Sequence, residues 1–217
     1  MGVKDKYQVK EISYSDTKDF ILNKHYAQRM PSITYAYGLY NQDMLCGVLT
    51  IGKPASHSLC VGVCGKEHHG KVFELNRLIT KENLEKNALS YFVSQALKNL
   101  NQLDLVIVSY ADEGMNHHGY IYQATNFIYT GKTKGRTDKY TEGNKHSRHY
   151  TNDNKHLRKF RTPKHRYIYF TKKKSKLRKK LKYQEEDYPK GDNKKYRLGE
   201  RMKTKVINKD TAEVFYV

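Results

Sequence analysis

The sequence predicts a mixed α/β fold, in which helices flank a mixed sheet and a basic C-terminal extension follows, on three observations. Two strand-like runs, TYAYGLYN and MLCGVLTIG, are separated by the polar turn Asn41-Gln42-Asp43 and read as a hairpin. The segment ALSYFVSQALKNL sets Leu89, Phe92, Val93, Ala96, Leu97 and Leu100 on one helical face. LDLVIVSYAD is a short apolar run of the kind found in a buried central strand, and it ends in small and acidic residues where a site can open.

In chain order, a helix precedes His25-Tyr26, a turn follows at Pro31, and the hairpin comes next. VFELNRLIT is a further strand with interleaved apolar residues, and the polar loop KENLEKN leads from it into the amphipathic helix. After the central strand, GMNHHGYIYQATN suits a helix, FIYTG a strand and HRYIYF a last strand. Beyond Thr171 the chain turns mostly charged, with 16 Lys and Arg against 7 Asp and Glu. This sets a catalytic domain over residues 1–170 and a basic extension over 171–217 that orders on a polyanion. At 217 residues the chain buries a single core and leaves no room for a second full domain.

Against 22 acidic residues stand 41 Lys and Arg, a net charge of +19 that concentrates polyanions around so short a chain. Nucleic acid is therefore the first partner to consider. No apolar run reaches the length of a bilayer, no amphipathic cationic helix stands out, and MGVKDKYQVK carries no apolar signal segment. Cys46, Cys60 and Cys64 are too few and odd in number for a disulfide scaffold, so the expected compartment is the cytoplasm.

The run VIVSYADEGMNHHGYIYQATNFIYTG resembles the second half of the GNAT acyltransferase fold, with Gly119, Tyr122, Asn126 and Phe127 at comparable places. Together with KHYAQRMPSITYAYGLY, ELNRL and PKHRYIYF it resembles the Mom family of phage proteins over roughly residues 20 to 170. That resemblance implies an enzyme, encoded by a phage or prophage and acting in the bacterial host, that converts adenine in double-stranded DNA to a carbamoylmethyl derivative resistant to restriction enzymes. It also raises iron as a requirement. One departure concerns the donor. GNAT enzymes cradle the coenzyme A pyrophosphate in a glycine-rich loop at a helix N-terminus, whereas here the loop is Lys81-Glu82-Asn83-Leu84-Glu85-Lys86-Asn87.

His25 beside Tyr26 offers a base near neutral pH and a phenol for hydrogen bonding or stacking; the bland reading is a packed aromatic pair. Arg77, inside a strand, faces a cleft or pairs with Glu74, and its fork suits phosphate or carboxylate. Asn76 beside it is a second donor-binding candidate. Ser109, Tyr110 and Asp112 end the central strand, where open α/β sheets place ligands; Asp112 orients the adenine amine or accepts its proton, and it is also placed to cap a helix. Asn116 and Tyr122 complete the binding set. His25, Asp112 and His117 or His118 form a histidine and carboxylate set of the type that holds iron, although neighbouring histidines point to different helix faces. Cys60 and Cys64 with His68 and His69 superficially resemble a zinc site, but the spacing is irregular and Gly62 and Gly65 point to a loop. In GKTKGRTDKYTEGNKHSRHYTNDNKHLRKFRTPKHRYIYF, cations alternate with rings, as a flipped base with a phosphate rim requires. Arg136 and the isolated acid Asp138 are its leading candidates.

Plain acetyl transfer leaves a carbonyl on the amine rather than a methylene, so the carbamoylmethyl product calls for another donor. A glycyl ester such as glycyl-tRNA supplies the right atoms, and tRNA becomes a second nucleic-acid partner; acetyl-coenzyme A with iron is the rival. Two other classes fit the composition: a non-catalytic nucleic-acid-binding module on an acyltransferase fold, and an acyltransferase acting on tRNA or protein amines.

Overall fold

The computed structural model describes residues 2–142, 149–192, 198–199 and 203–217. A one-turn helix α1 (Val3–Lys6) leads into strand β1 (Tyr7–Glu11). Helix α2 (Tyr14–Asp19) starts at Ser13, whose side chain accepts from the Asp16 amide while the Asp16 carboxylate accepts from the Ser13 amide. This reciprocal cap satisfies two otherwise free donors. The helix runs on into a π-helical turn, Phe20–Lys24, that delivers His25. The hairpin β2 (Tyr35–Asn41) and β3 (Met44–Gly52) turns through Gln42 and Asp43, Gln42 taking a left-handed φ of 54°.

Helix α3 (His57–Cys64), β4 (Val72–Thr80), α4 (Ala88–Lys98) and β5 (Val106–Asp112) follow, then the short α5 (Tyr120–Ala124) and β6 (Ile128–Lys132). Strands β7 (Arg136–Lys139), β8 (Leu157–Arg161), β9 (Lys164–Phe170), β10 (Lys205–Asn208) and β11 (Val214–Tyr216) complete the chain. They form a seven-stranded sheet in the order β1-β2-β3-β4-β5-β9-β6 and a four-stranded sheet in the order β11-β10-β8-β7. Every pairing is antiparallel except β4 with β5.

Both faces of the large sheet are covered. On one, α4 buries Phe92, Val93, Ala96 and Leu97 against Leu49, Ile107 and Tyr167. On the other, α3 and the chain around Leu177 seal Val72, Val106, Val108 and Ile168. These strands are apolar on both sides, which is why the central one reads as a continuous apolar run.

Two local expectations are corrected. The segment carrying Gly62 is not a loop: α3 is capped by Ser56 Oγ accepting from the Leu59 amide at 3.2 Å, and it ends only at Gly65, φ 96°. Gly62 is wanted for close approach, because a Cβ there would lie 2.9 Å from the Tyr183 hydroxyl. The single helix expected after the central strand is instead a 3-10 turn (Glu113–Met115) and the five-residue α5. Between them Asn116 and Gly119 are left-handed, and a Cβ on Gly119 would lie 2.4 Å from the Tyr167 ring, so the helix cannot continue through this point.

The charged segment after Thr171 lies on the body of the chain. Leu177 is buried, the Lys182 amide donates to Val63 O at 2.9 Å, and the Tyr188 hydroxyl donates to Phe127 O at 2.6 Å. The hairpin β10–β11 adds to β8 and buries Val206 completely. Among the described residues no helix is long and apolar enough to cross a membrane.

Candidate active site

The parallel ladder of β4 and β5 stops at Leu75 opposite Ser109. Beyond it β4 stays with β3, through a bulge between Thr50 and Ile51, while β5 stays with β9 as far as Asp112 opposite Lys164. The strands are held by different neighbours and part, leaving a wedge at the carboxyl ends of the strands where such sheets receive ligands.

One wall is β4 with the loop after His25. Asn76 Oδ1 accepts from Thr50 Oγ1 at 2.7 Å and its Nδ2 donates to Ser32 O at 2.8 Å, tying the loop to the sheet. Gly52 permits this approach, since a Cβ there would lie 1.9 Å from Ser32 O. Arg77 donates to Asn76 O at 2.7 Å and to Arg29 O at 2.8 Å, leaving its buried Nε without a partner among the described residues. On the loop, the rings of His25 and Tyr26 stack at 4.2 Å.

The other wall is the end of β5. Asp112 Oδ1 accepts from the Gly114 amide at 3.0 Å and from the Thr162 hydroxyl, and Oδ2 lies 2.8 Å from Lys164 Nζ. The carboxylate is thus a cap and an ion-pair partner at once, with 14% of its side chain exposed. Glu74, one residue before the ladder ends, is partly buried and close enough to Lys164 and Arg77 for their charges to act on it; among the described residues it makes no ion pair.

Burial and charge set the proton affinities. His25 is pushed down to about 3 by burial, helped by Arg77, Lys164 and His117. Its Nδ1 accepts from the Ala27 amide at 3.0 Å, so the neutral ring carries its proton on Nε2. The base expected here is therefore a neutral hydrogen-bond donor. Tyr26 is pushed up to about 12 by burial and the Asp112 charge, against the pull of Arg77. Burial raises Glu74, with Lys164 and Arg77 opposing it, and burial followed by the Glu74 charge raises Tyr110. Glu74 is thereby the carboxylate here that binds a proton more readily than usual.

Of the residues expected from sequence, the structure gathers His25, Tyr26, Arg77 and Asp112, with His117 close enough for its charge to act on His25 and Tyr110 close enough to feel Glu74. Asn76 serves as the brace described above. Others stand elsewhere. Ser109 is fully buried and donates to Leu75 O at 3.0 Å on the opposite face of the strand. Tyr122 packs its ring against Phe127 and Tyr167 in the core. Asn116 donates to Asp192 O at 3.0 Å, and the His118 ring lies beside His165. Asp138 belongs to the second sheet, paired with Arg161 at 2.8 Å and Arg136 at 3.7 Å, and Arg136 is 73% exposed. Part of the basic aromatic stretch, residues 143–148, lies outside the described residues.

Glu74 and Lys164 were not expected. Glu74 is two residues before Asn76 in the same strand, a period-two signal visible in VFELNRLIT, whereas Lys164 meets Asp112 only through the β5–β9 register.

The described residues assemble no metal centre, and the turn before α4 differs from a glycine-rich coenzyme A loop. Among the described residues no group of three or more His, Cys, Asp and Glu is arranged to hold a metal ion. His25 Nδ1 and both Asp112 oxygens are already engaged, while Cys60 and Cys64 are buried in the core of α3. At the start of α4, Asn83 and Asn87 take the left-handed angles a glycine loop would supply, yet two carboxylates line the turn. Glu85 pairs with Lys6 at 2.5 Å and Glu82 accepts from the Leu198 amide at 3.4 Å. Lys81 and Lys86 in the same turn balance its two carboxylates, so what the turn lacks is the glycines of a pyrophosphate loop.

The second sheet adds positive charge to the rim: Lys159 lies close enough to Arg29 for their charges to repel. A neutral donor, an arginine fork, a proton-accepting carboxylate and a lysine-held carboxylate together suit transfer of an acyl group to an amine.

The Mom protein family model matches residues 6–190 of the chain. A curated relative, "Methylcarbamoylase mom" of Escherichia phage Mu, is 30% identical over 128 residues, covering 57% of this chain and 53% of that protein. The match therefore spans about half the length of that relative. Among solved structures, Arabidopsis thaliana NAA60 in complex with a bisubstrate analogue superposes with a TM-score of 0.50 at 10% identity, over 76% of this chain and 97% of that one. The ribosomal-protein-S18-alanine N-acetyltransferase of Escherichia coli gives a TM-score of 0.47 at 7% identity, over 78% and 97%. The fold is that of GNAT acyltransferases, with α3 and the C-terminal segment laid over its second face.

Proposed function

The chain belongs to the Mom protein family, and on that premise we propose that it is a phage DNA-modification transferase. In this reading it places a carbamoylmethyl group on the exocyclic amine of adenine and so protects DNA from restriction. The observation that carries it is the wedge between β4 and β5, where Glu74, Arg77, Asp112, His25 and Tyr26 meet beneath a basic rim. A duplex must surrender the base for its amine to enter such a site, and the Tyr26 ring over His25 offers a stacking face to a flipped adenine.

The proposed donor is a glycyl ester, with glycyl-tRNA as the class. The adenine amine attacks the ester carbonyl, the ester oxygen leaves with a proton, and an N-glycyl adenine forms. The free glycyl amine then attacks the purine carbon through a five-membered ring. The original nitrogen departs as the carboxamide, giving the carbamoylmethyl product with no change in oxidation state. Glu74 takes the amine proton, Asp112 accepts a hydrogen bond from the amine, and the His25 Nε2 proton with Arg77 stabilises the oxyanion. The lack of glycine in the turn Lys81–Asn87 before α4 supports this donor over coenzyme A.

The test is mass spectrometry of nucleosides from the DNA of cells expressing the chain, grown with isotope-labelled glycine, beside cells expressing Asp112→Ala. A new adenine species that carries the label and disappears in the variant is expected. An unlabelled species would remove the glycyl donor, and an unchanged profile would leave the binding module or another acceptor amine.

A further inference from the structure

The four-stranded sheet has two unlike faces. Asp138, Lys159, Arg161 and Val206 turn inward, where Val206 is fully buried and Lys159 feels Arg29 of the active-site loop. The alternate residues turn outward: Thr137 and Lys139 on β7, Arg158 and Phe160 on β8, Lys205 and Ile207 on β10, Val214 and Tyr216 on β11. No acid stands at an outward position on these strands, and two of the rings there, Phe160 and Tyr216, are 37% and 63% exposed. The Lys205 ammonium lies 4.9 Å above the Phe160 ring, and beside the sheet Lys139 lies 4.3 Å from the Tyr150 ring.

We infer that this outer face binds single-stranded RNA, and that its occupant is the unpaired end of the donor tRNA; the identity of the occupant rests on the glycyl-tRNA reading above. Exposed rings on a flat strand surface offer π-faces, and only unstacked bases can lie on them; a closed duplex keeps its base faces covered. Cations interleaved with the rings neutralise the phosphates linking those bases. A second copy of the chain is disfavoured as occupant, because a two-fold contact would set the outward Lys and Arg residues of both copies against each other. Strand β8 continues through Thr162 and Pro163 to Lys164, so the face is one short connection from the wedge.

The experiment compares binding of labelled deacylated tRNA, the same tRNA trimmed of its unpaired 3′ nucleotides, and a short DNA duplex to the full chain and to Phe160→Leu/Tyr216→Leu. Leucine keeps apolar bulk and removes the π-face; thermal unfolding verifies that the variant remains folded, with Phe160→His/Tyr216→His, which keeps rings, as the second variant if it does not. The expected result is a loss of about tenfold per ring for intact tRNA, no loss for trimmed tRNA, unchanged duplex binding, and retained affinity in the histidine variant. Equal loss for duplex and tRNA would assign the face to DNA and overturn the inference. So would equal affinity for intact and trimmed tRNA, or a wild-type dimer by light scattering that the leucine variant converts to monomer. Because the readout is binding, it stands whether or not adenine modification is found.

Discussion

The wedge of the large sheet and the outer face of the small one handle polar residues in opposite ways. In the wedge, burial moves proton affinities away from their solution values: His25 is neutral with its proton fixed on Nε2, and Glu74 holds its proton more readily than usual. On the outer face, Lys139 and Lys205 stand in solvent over rings. Reactivity thus needs groups whose solvation has been replaced by fixed neighbours, while capture of a charged polymer needs groups that are still hydrated and quick to exchange counterions. The two regions should respond differently to the same perturbations.

The largest difference is expected from Glu74→Gln, which preserves shape and hydrogen-bonding capacity but not the proton acceptor. Modified adenine per unit protein should fall by about 10² to 10⁴-fold, with duplex and tRNA affinities unchanged. Full activity in this variant would remove Glu74 as the base and return that role to Asp112. Glu74 shows where sequence reasoning stopped. Its strand, its neighbours Asn76 and Arg77 and its parity were legible in VFELNRLIT, but an acid alternating with apolar residues reads equally as a solvated face. Only the register, which ends the β4–β5 ladder at Leu75, and the charges of Lys164 and Arg77 beside it single Glu74 out from a solvated face. The long helix was legible from its 3.6-residue period, the central strand from its short continuous apolar run, and the hairpin from two strand-like runs around a polar turn. The second sheet was not, because six of the nine residues of β7 and β8 are charged and β10 joins β8 across a long separation in sequence.

Acid should separate the regions next. His25 binds a proton near 6.5 when unfolded but only at about 3 when folded. Between those values the unfolded state takes up a proton that the native state refuses, so stability is full above pH 6.5 and falls as pH drops toward 3. The limiting slope is about 1.4 kcal/mol per pH unit. Glu74, raised in the fold, acts in the opposite sense, its contribution present below 4.5 and lost as pH rises through its folded value. Chemical denaturation across this range should therefore be run for His25→Asn in the Glu74→Gln background, where asparagine Oδ1 can keep the Ala27 amide bond. A slope that survives the His25 change would assign the acid sensitivity to other groups.

A smaller effect is expected from Val206→Ala. Removing two buried methyl groups should cost about 1 to 3 kcal/mol, confined to the small sheet. Amide exchange should show β8 and β10 opening earlier while Phe92, Ile107 and Tyr167 of the main core keep their protection. If the main core loses protection in step, the two sheets unfold as one unit and the C-terminal hairpin is integral to the catalytic fold.

The smallest effect, and the one that speaks most directly to the comparison, is on salt dependence. Lys139→Ala and Lys205→Ala each remove an exposed cation from the outer face without touching the wedge. If those ammonium groups meet the phosphates of a single strand, each substitution should reduce the slope of log affinity against log salt for intact tRNA by about 0.7. The slope for the duplex should hold, as should the rate of adenine modification at saturating donor. A residue that merely stabilised the sheet would lower affinity at every salt concentration and leave the slope unchanged. Slope and intercept therefore distinguish a phosphate contact from a structural one, and they do so on a surface where the charges were legible in the sequence but the face that carries them was not.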